Sequence, residues 1–243
     1  MFDVKNRWAL ITGASRGIGK LSAIYMAEQG CNLILHSRSL EHTKELAEEL
    51  KAKGVEVRCV AAELSDLSTV EAMLNEIDEM GMNVDIVLNN AGLQIGYRSD
   101  WLKTPITDYE ISFVINTTAP MMICYHFLPG MIERGVGRIV NTTSGIAWEP
   151  QQAGYSAAKA ALDKVTRDLG SKYEGTNVMI NLADPGWCRT DLGGPSAPNA
   201  PESALPGVLL GAFLDDKKNG RIFHAQDFAG MTMEEALVKA ENY

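Results

Sequence analysis

The chain predicts an α/β fold in which a doubly wound parallel sheet carries helices on both faces. Three observations lead there. Short apolar runs rich in branched residues recur along the sequence, each is followed by a segment with helical hydrophobic spacing, and a glycine-rich turn separates the first run from the first such segment. Alternation of this kind implies right-handed β-α-β units whose strands are buried on both sides.

The elements follow in order. Trp8 to Ile11 is the first expected strand, and Ile18, Leu21, Ile24 and Tyr25 mark the apolar face of the helix behind it. Asn32 to His36 is the second strand, backed by a helix on Leu46, Leu50 and neighbouring alanines. Val55 to Ala61 is the third, followed by Val70, Met73, Leu74 and Ile77 at helical spacing. Val84 to Leu88, Arg138 to Asn141 and Asn177 to Leu182 complete the buried runs. Between residues 185 and 206 the chain turns rich in proline and glycine and loses helical period, which reads as a lid over a site within one domain spanning 1–243. Met233 to Tyr243, with Ala236, Leu237 and Ala240 at helical spacing, closes the chain at a subunit or domain edge.

Composition narrows the function classes. The 243 residues are 46% hydrophobic, enough for a large core, and no apolar run approaches the ~20 residues of a membrane span. The opening Met1-Phe2-Asp3-Val4-Lys5 lacks the order of a secretory leader, so a cytoplasmic protein without a membrane partner is expected. A net charge of -9 and a pI near 5.0 argue against nucleic acid as a partner. Cys31, Cys59, Cys124 and Cys188 are far apart, as are His36, His42, His126 and His224, which reads as free thiols and no metal site.

Two motifs carry chemistry. In Thr12-Gly13-Ala14-Ser15-Arg16-Gly17-Ile18-Gly19, Gly13 permits a tight turn, Gly17 lets backbone approach a pyrophosphate, and Gly19 lets the helix pack closely, while N–H groups at the helix start attract phosphate. After the second strand, His36-Ser37-Arg38 offers no carboxylate for a ribose diol. Arg38, with Arg16, suits a 2′-phosphate, so NADP(H) is expected rather than NAD. Asn89-Asn90-Ala91-Gly92 follows the fourth strand with small residues that leave room for a cofactor. The second motif, Tyr155-Ser156-Ala157-Ala158-Lys159, sets a phenol and an ammonium on one side of a helix. Together they point to carbonyl chemistry with a nucleotide cofactor.

The order Thr12 to Gly19, Asn89 to Gly92, Asn116, Ser144, Tyr155 with Lys159, and Pro185-Gly186 with Thr190 resembles the short-chain dehydrogenase/reductase family in its single-domain form, over almost the whole chain. The resemblance implies a seven-stranded Rossmann sheet, hydride transfer between nicotinamide and a carbonyl or alcohol carbon of a small molecule, and a homodimer or homotetramer built on the long helices. It further implies Tyr155 as general acid or base, Ser144 as the hydroxyl holding the carbonyl oxygen, Lys159 as the residue that grips the nicotinamide ribose, and Asn116 as support for a water in the proton path. Cofactor contacts are expected from Gly13, Ser15, Arg16, Gly17, Ile18, Gly19, Arg38, Glu63, Leu64, Asn90, Ala91, Gly92, Tyr155, Lys159, Pro185, Gly186 and Thr190.

Three features depart from the family pattern. Ser144 lies eleven residues before Tyr155, closer than usual, so Thr142 and Thr143 stand as alternatives for its role. Glu63 replaces the usual Asp or Asn, and Gly220-Arg221-Ile222-Phe223 lacks the glycine-rich ending of the acyl-carrier-protein reductases. A free phenol titrates near ~10, and Lys159 together with oxidised nicotinamide is expected to favour phenolate. Gln94, Ile146, Trp148, Trp187 and Leu192, just beyond the motif ends, are expected to line an apolar, partly aromatic pocket for a neutral ketone or aldehyde. The resulting reading is an NADPH-dependent carbonyl reductase. Its alternatives are an alcohol or sterol dehydrogenase working oxidatively and a protein that senses NADP without turnover.

Overall fold

A computed structural model describes residues 1–243. Seven strands form one sheet: β1 (Trp8–Ile11), β2 (Asn32–Ser37), β3 (Val57–Ala61), β4 (Val84–Asn89), β5 (Gly137–Thr142), β6 (Val178–Asp184) and β7 (Ile222–His224). Their order is β3-β2-β1-β4-β5-β6-β7 and every pairing is parallel. The order reverses between β1 and β4, which opens a crevice beyond their carboxyl ends.

Alternation along each strand feeds two cores. Ala9, Ile11, Leu33, Leu35, Ile86 and Leu88 face one side, where they pack against helices α1 (Gly17–Glu28) and α2 (Glu41–Lys51) and the C-terminal elements α7 (Leu210–Phe213) and α8 (Met233–Ala240). Leu10, Ile34 and Val87 face the other side, against α3 (Leu67–Glu79), α5 (Ala119–Arg134) and α6 (Ala153–Gly170). Both faces of the sheet are thus removed from water, which is why the strands read as continuous apolar runs.

Local chemistry sets several helix ends. The Asp66 carboxylate accepts from the Ser68 N–H at 3.0 Å and starts α3. Thr232 and Glu235 form a reciprocal capping box on α8. Gly135, left-handed at φ 66°, stops α5.

Two expectations are corrected. In α1 the fully packed side is Gly19, Ser22, Ala23, Met26 and Ala27; Ile18, Leu21, Ile24 and Tyr25 lie on the half-buried flank. Small residues let the helix approach the sheet, so the bulkiest side chains are not the deepest. The second concerns membrane-spanning length. Helix α4 (Ile106–Phe113), a π-helical turn (Val114–Thr118) and α5 run on as one helical stretch of 29 residues, Ile106–Arg134, and an 18-residue window within it, of mean hydropathy 1.3, is apolar enough to cross a bilayer by length and composition. More than half of its apolar window is packed inside the fold, as for a core helix. The four cysteines are unpaired.

Candidate active site

The crevice between β1 and β4 opens into a cleft of about 670 Å³. Its floor is the glycine turn. Gly13 (φ +67°) and Gly17 (φ +55°) are left-handed, where a side chain would strain the backbone. Gly19 lies beneath the cleft: a Cβ there would stand 2.2 Å from the Gly13 carbonyl oxygen and 2.5 Å from Asn90 Nδ2. Asn90 Nδ2 donates to the Thr12 carbonyl at 3.1 Å, and the Ala91 N–H donates to Thr12 Oγ1 at 3.0 Å, so the end of β4 is stitched to the turn. No side chain caps α1. Its first N–H groups therefore remain for an anion, and the glycine cradle fits a dinucleotide pyrophosphate.

Ser15, Arg16, Gly17, Ile18, Arg38, Glu63, Leu64, Asn90, Ala91 and Gly92 line this cleft as expected. Two details of charge matter. The Glu63 carboxylate turns toward its own backbone and accepts from the Ser65 N–H at 3.2 Å. The Arg16 guanidinium pairs with Asp191 of the 185–206 segment at 2.8 Å.

Sequence reasoning set His36 aside as a scattered histidine, yet it lines the cleft. Its ring is 2% exposed and bridges two elements. Nδ1 accepts from the Gly13 N–H at 3.3 Å, while Nε2 reaches the Ala62 carbonyl at 3.1 Å. Burial holds its pKa below the ordinary imidazole value, against a smaller opposing pull from the Ala62 carbonyl. The neutral tautomer with hydrogen on Nε2 satisfies both contacts and pins the glycine turn to β2 and β3. Its position at the end of a strand beside the turn was the available signal.

The reactive end collects the remaining motifs. Tyr155 and Lys159, on one side of α6, are 7% and 4% exposed and both open onto the cleft. Lys159 Nζ donates to the Thr142 carbonyl at 2.7 Å and lies 5.9 Å from the Tyr155 ring centroid. Gly92 separates Lys159 from Asn116, since a Cβ there would sit 3.5 Å from Nζ and 3.0 Å from Asn116 Oδ1. Asn116, in the π-turn, uses its amide to hold Leu93: Oδ1 accepts from the Leu93 N–H at 3.0 Å and Nδ2 donates to its carbonyl at 2.8 Å.

The choice among three hydroxyl residues narrows by partners. Thr143 donates its hydroxyl to Asp163, and Thr142 offers its main-chain carbonyl to Lys159. Ser144 Oγ accepts from the Ile146 N–H at 3.3 Å and is the hydroxyl that acts on the Tyr155 phenol, although Thr142 and Thr143 line the cleft and Ser144 does not.

One electrostatic expectation is overturned for the free protein. The Tyr155 phenol is pushed up rather than down, first by burial and then by the negative charge of Asp184, with the Ser144 hydrogen bond opposing. Lys159 does not offset this. Burial has brought the ammonium itself down to about 8, partly countered by Asp163 and Asp184. A desolvated cation loses hold of its own proton before it can draw one from a neighbour.

At the substrate end Gln94 and Leu192 line the cleft, joined by Leu93 and Ile115, which the sequence did not flag. Gln94 Nε2 donates to Gln152 Oε1 at 2.8 Å. Ile146, Trp148 and Trp187 do not line it. Trp148 is 98% exposed on a left-handed backbone (φ 63°), and the Trp187 indole N–H is spent on the Gly193 carbonyl at 2.7 Å. Both follow loop turns rather than strand ends, which aims them outward. Pro185 and Thr190 border the cleft, but Gly186 does not: its N–H donates to Asp184 Oδ1 at 2.9 Å, and a Cβ there would meet Gln226. The 185–206 segment is internally bonded, with the Arg189 N–H on the Asn199 carbonyl at 2.9 Å and Arg189 Nη1 on Pro198 at 2.7 Å.

Residues 7–200 match the family model described as short chain dehydrogenase. The chain is 33% identical to the oxidoreductase UcpA of Salmonella typhimurium over 213 residues, covering 84% of this chain and 80% of that protein. It is 31% identical to the 3-oxoacyl-[acyl-carrier-protein] reductase FabG of Staphylococcus aureus over 213 residues, covering 86% and 85%. Among solved structures, a short chain dehydrogenase from Shigella flexneri complexed with NADP superposes with a TM-score of 0.81 at 26% identity, covering 92% of this chain and 99% of that one.

Proposed function

The chain belongs to the short-chain dehydrogenase/reductase family of nicotinamide-dependent oxidoreductases, and from that premise we propose that it is an NADPH-dependent reductase of small ketones or aldehydes, with Tyr155 as proton donor. The observation that carries this reading is the convergence of the buried Tyr155 phenol and the Lys159 ammonium at the reactive end of a cleft floored by a phosphate-binding turn.

A dinucleotide held by its pyrophosphate at that turn would supply the hydride from its nicotinamide. The chain's own residues do the rest. Ser144 hydrogen-bonds the carbonyl oxygen of the substrate, and Tyr155 delivers a proton to the same oxygen as negative charge develops on it. Lys159, aimed by the Thr142 carbonyl, grips the ribose hydroxyls, and Asn116 holds the Leu93 backbone that borders the substrate. Arg38, exposed at the mouth with no carboxylate beside it at the end of β2, favours the 2′-phosphate of NADPH over the bare diol of NADH. Leu93, Ile115 and Leu192 give the substrate end an apolar wall, which suits a neutral carbonyl compound. The 185–206 segment, reaching the cleft through Thr190, Asp191 and Leu192, would act as the lid.

The test is NADPH oxidation against a panel of ketones and aldehydes, with NADH in parallel and with Tyr155→Phe as the matched variant. Carbonyl-dependent oxidation that prefers NADPH and disappears in Tyr155→Phe, while NADPH still binds, is the expected result. Full turnover in that variant, or none in the parent with any carbonyl, would overturn the reading.

A further inference from the structure

The substrate end of the cleft carries a side-chain amide whose orientation the surrounding hydrogen bonds decide. Gln94, from the loop after β4, meets Gln152, the residue that precedes α6. Gln152 is 7% exposed, and its Nε2 donates to the Ile95 carbonyl at 3.2 Å. A carbonyl can only accept, so this contact fixes which end of the Gln152 amide is nitrogen. Its Oε1 therefore faces Gln94, and Gln94 must answer with Nε2, which donates at 2.8 Å. The other end of the Gln94 amide, Oε1, accepts from no group of the protein, and the residue borders the cleft.

The loop that carries Gln94 is held in place. The Arg98 N–H donates to the Gln151 carbonyl at 3.0 Å, and the Arg98 guanidinium grips both carboxylate oxygens of Asp108 on α4 at 2.7 and 2.8 Å. Gly92, two residues before Gln94, lies between Lys159 and Asn116, and Gln152 stands three residues, about one helical turn, before Tyr155. The Gln94 amide is thus fixed close to the proposed proton donor. Leu93, Ile115 and Leu192 surround it with apolar surface, and the Asn116 amide is spent at both ends on Leu93. A ligand lying on that wall takes Oε1 away from water. With a hydroxyl to donate, the ligand restores the lost hydrogen bond; without one it leaves the oxygen unpaired, which is the costlier outcome.

We propose that Gln94 binds the substrate through Oε1 and that the substrate is a hydroxylated ketone or aldehyde, with its hydroxyl on the α or β carbon. The proposal rests on the reading of the protein as a carbonyl reductase and narrows the substrate class of that same site.

The test takes the most active simple carbonyl compound of the panel and its derivatives with a hydroxyl or a methoxy group on the α or β carbon. The ether oxygen accepts but cannot donate. Values of kcat/KM are measured with NADPH for each compound in the parent and in Gln94→Met. In the parent, the hydroxy derivative at one of the two positions should exceed its methoxy counterpart by about threefold or more. The hydroxy-to-plain ratio should fall by about three- to tenfold in Gln94→Met, a comparison from which the intrinsic reactivities of the compounds cancel. The methoxy-to-plain ratio should not fall. Both ratios are internal to each enzyme, so a general loss of activity does not imitate the result, and if Gln94→Met is inactive throughout, the comparison of alcohol with ether in the parent decides alone. An ether reduced as well as the alcohol at both positions, or a hydroxy-to-plain ratio unmoved in Gln94→Met, overturns the proposal. Failure of the parent to reduce any carbonyl overturns the underlying reading and this proposal with it, whereas reduction without preference for the hydroxyl overturns this proposal alone.

Discussion

Arg16 and Asp191 face each other across the mouth of the cleft, Nη1 to Oδ2 at 2.8 Å. Arg16 belongs to the glycine turn and Asp191 to the segment after β6, and the neighbouring Thr190 methyl would lie 3.3 Å from a Cβ on Gly17. The pair spans the place where the phosphates of a cofactor enter, so Asp191 competes with phosphate for the same guanidinium. Both side chains are about two-thirds exposed, which limits the pair to less than ~1 kcal/mol, or about fivefold in affinity. Asp191→Asn should therefore tighten NADPH binding by up to about fivefold, and the gain should shrink as salt is raised. Fluorescence titration of NADPH at two ionic strengths checks this; weaker binding in the variant would show that Asp191 supports the site instead.

The proposed preference for NADPH is tested at Arg38. A hydrogen-bonded contact between guanidinium and phosphate contributes about 1.5–3 kcal/mol, so Arg38→Gln should lower kcat/KM with NADPH by about 10- to 100-fold. Activity with NADH should be unchanged, because the ribose diol makes no use of that charge. Parallel steady-state kinetics with the two cofactors decides the matter, and an equal loss with both would assign Arg38 to the fold.

Gly19 tests whether the glycine turn is a built cradle. An added Cβ would stand 2.2 Å from the Gly13 carbonyl and 2.5 Å from Asn90 Nδ2, and the Gly13 contact is backbone that cannot swing aside. Gly19→Ala should cost about 2 kcal/mol or more in urea unfolding and should abolish NADPH binding, since the turn must open to admit the methyl group. Gly54→Ala serves as the control: no neighbour lies within 4 Å there, so its cost is the left-handed backbone alone (φ +90°) and cofactor binding should survive.

These residues also mark what the sequence could convey. Six of the seven strands were legible because each is a run of branched residues buried on both faces. Strand β7 was not, being three residues long beside Gly220 and Arg221. The glycine turn, Arg38 and the Tyr155 and Lys159 pair were legible because their spacing is local. His36, Asp163 and Asp184 were not, since their roles arise from partners 20 or more positions away: Gly13 and Ala62 for His36, Thr143 for Asp163, and His224 for Asp184. Trp148 and Trp187 misled because proximity to a motif in the chain says nothing of which way a loop side chain points. The sign of the Tyr155 shift required knowing how deeply both it and Lys159 are buried.

That burial gives Lys159 a measurable signature in stability. Its folded-state pKa, about 8, lies below the ordinary lysine value of ~10.4 that the unfolded chain retains. The unfolded state therefore holds the proton more tightly, and charging the buried amine costs stability. Below pH ~8 both states are protonated and the full cost is present. Between about 8 and 10.4 the folded protein has released the proton while the unfolded chain keeps it, so stability rises with pH across that window. Lys159→Met fills the same space without a charge. Removing a shift of about 2 units would stabilise by up to ~3 kcal/mol, reduced by about 1 kcal/mol for the lost hydrogen bond to the Thr142 carbonyl. The variant should melt a few degrees above the parent at pH 7, the difference should narrow as pH rises through 8 toward 10, and carbonyl reduction should be lost. Thermal unfolding of both proteins across that range checks the sign; a constant gap, or a variant less stable at pH 7, would mean that the ammonium is better compensated by Asp163 and Asp184 than its burial indicates.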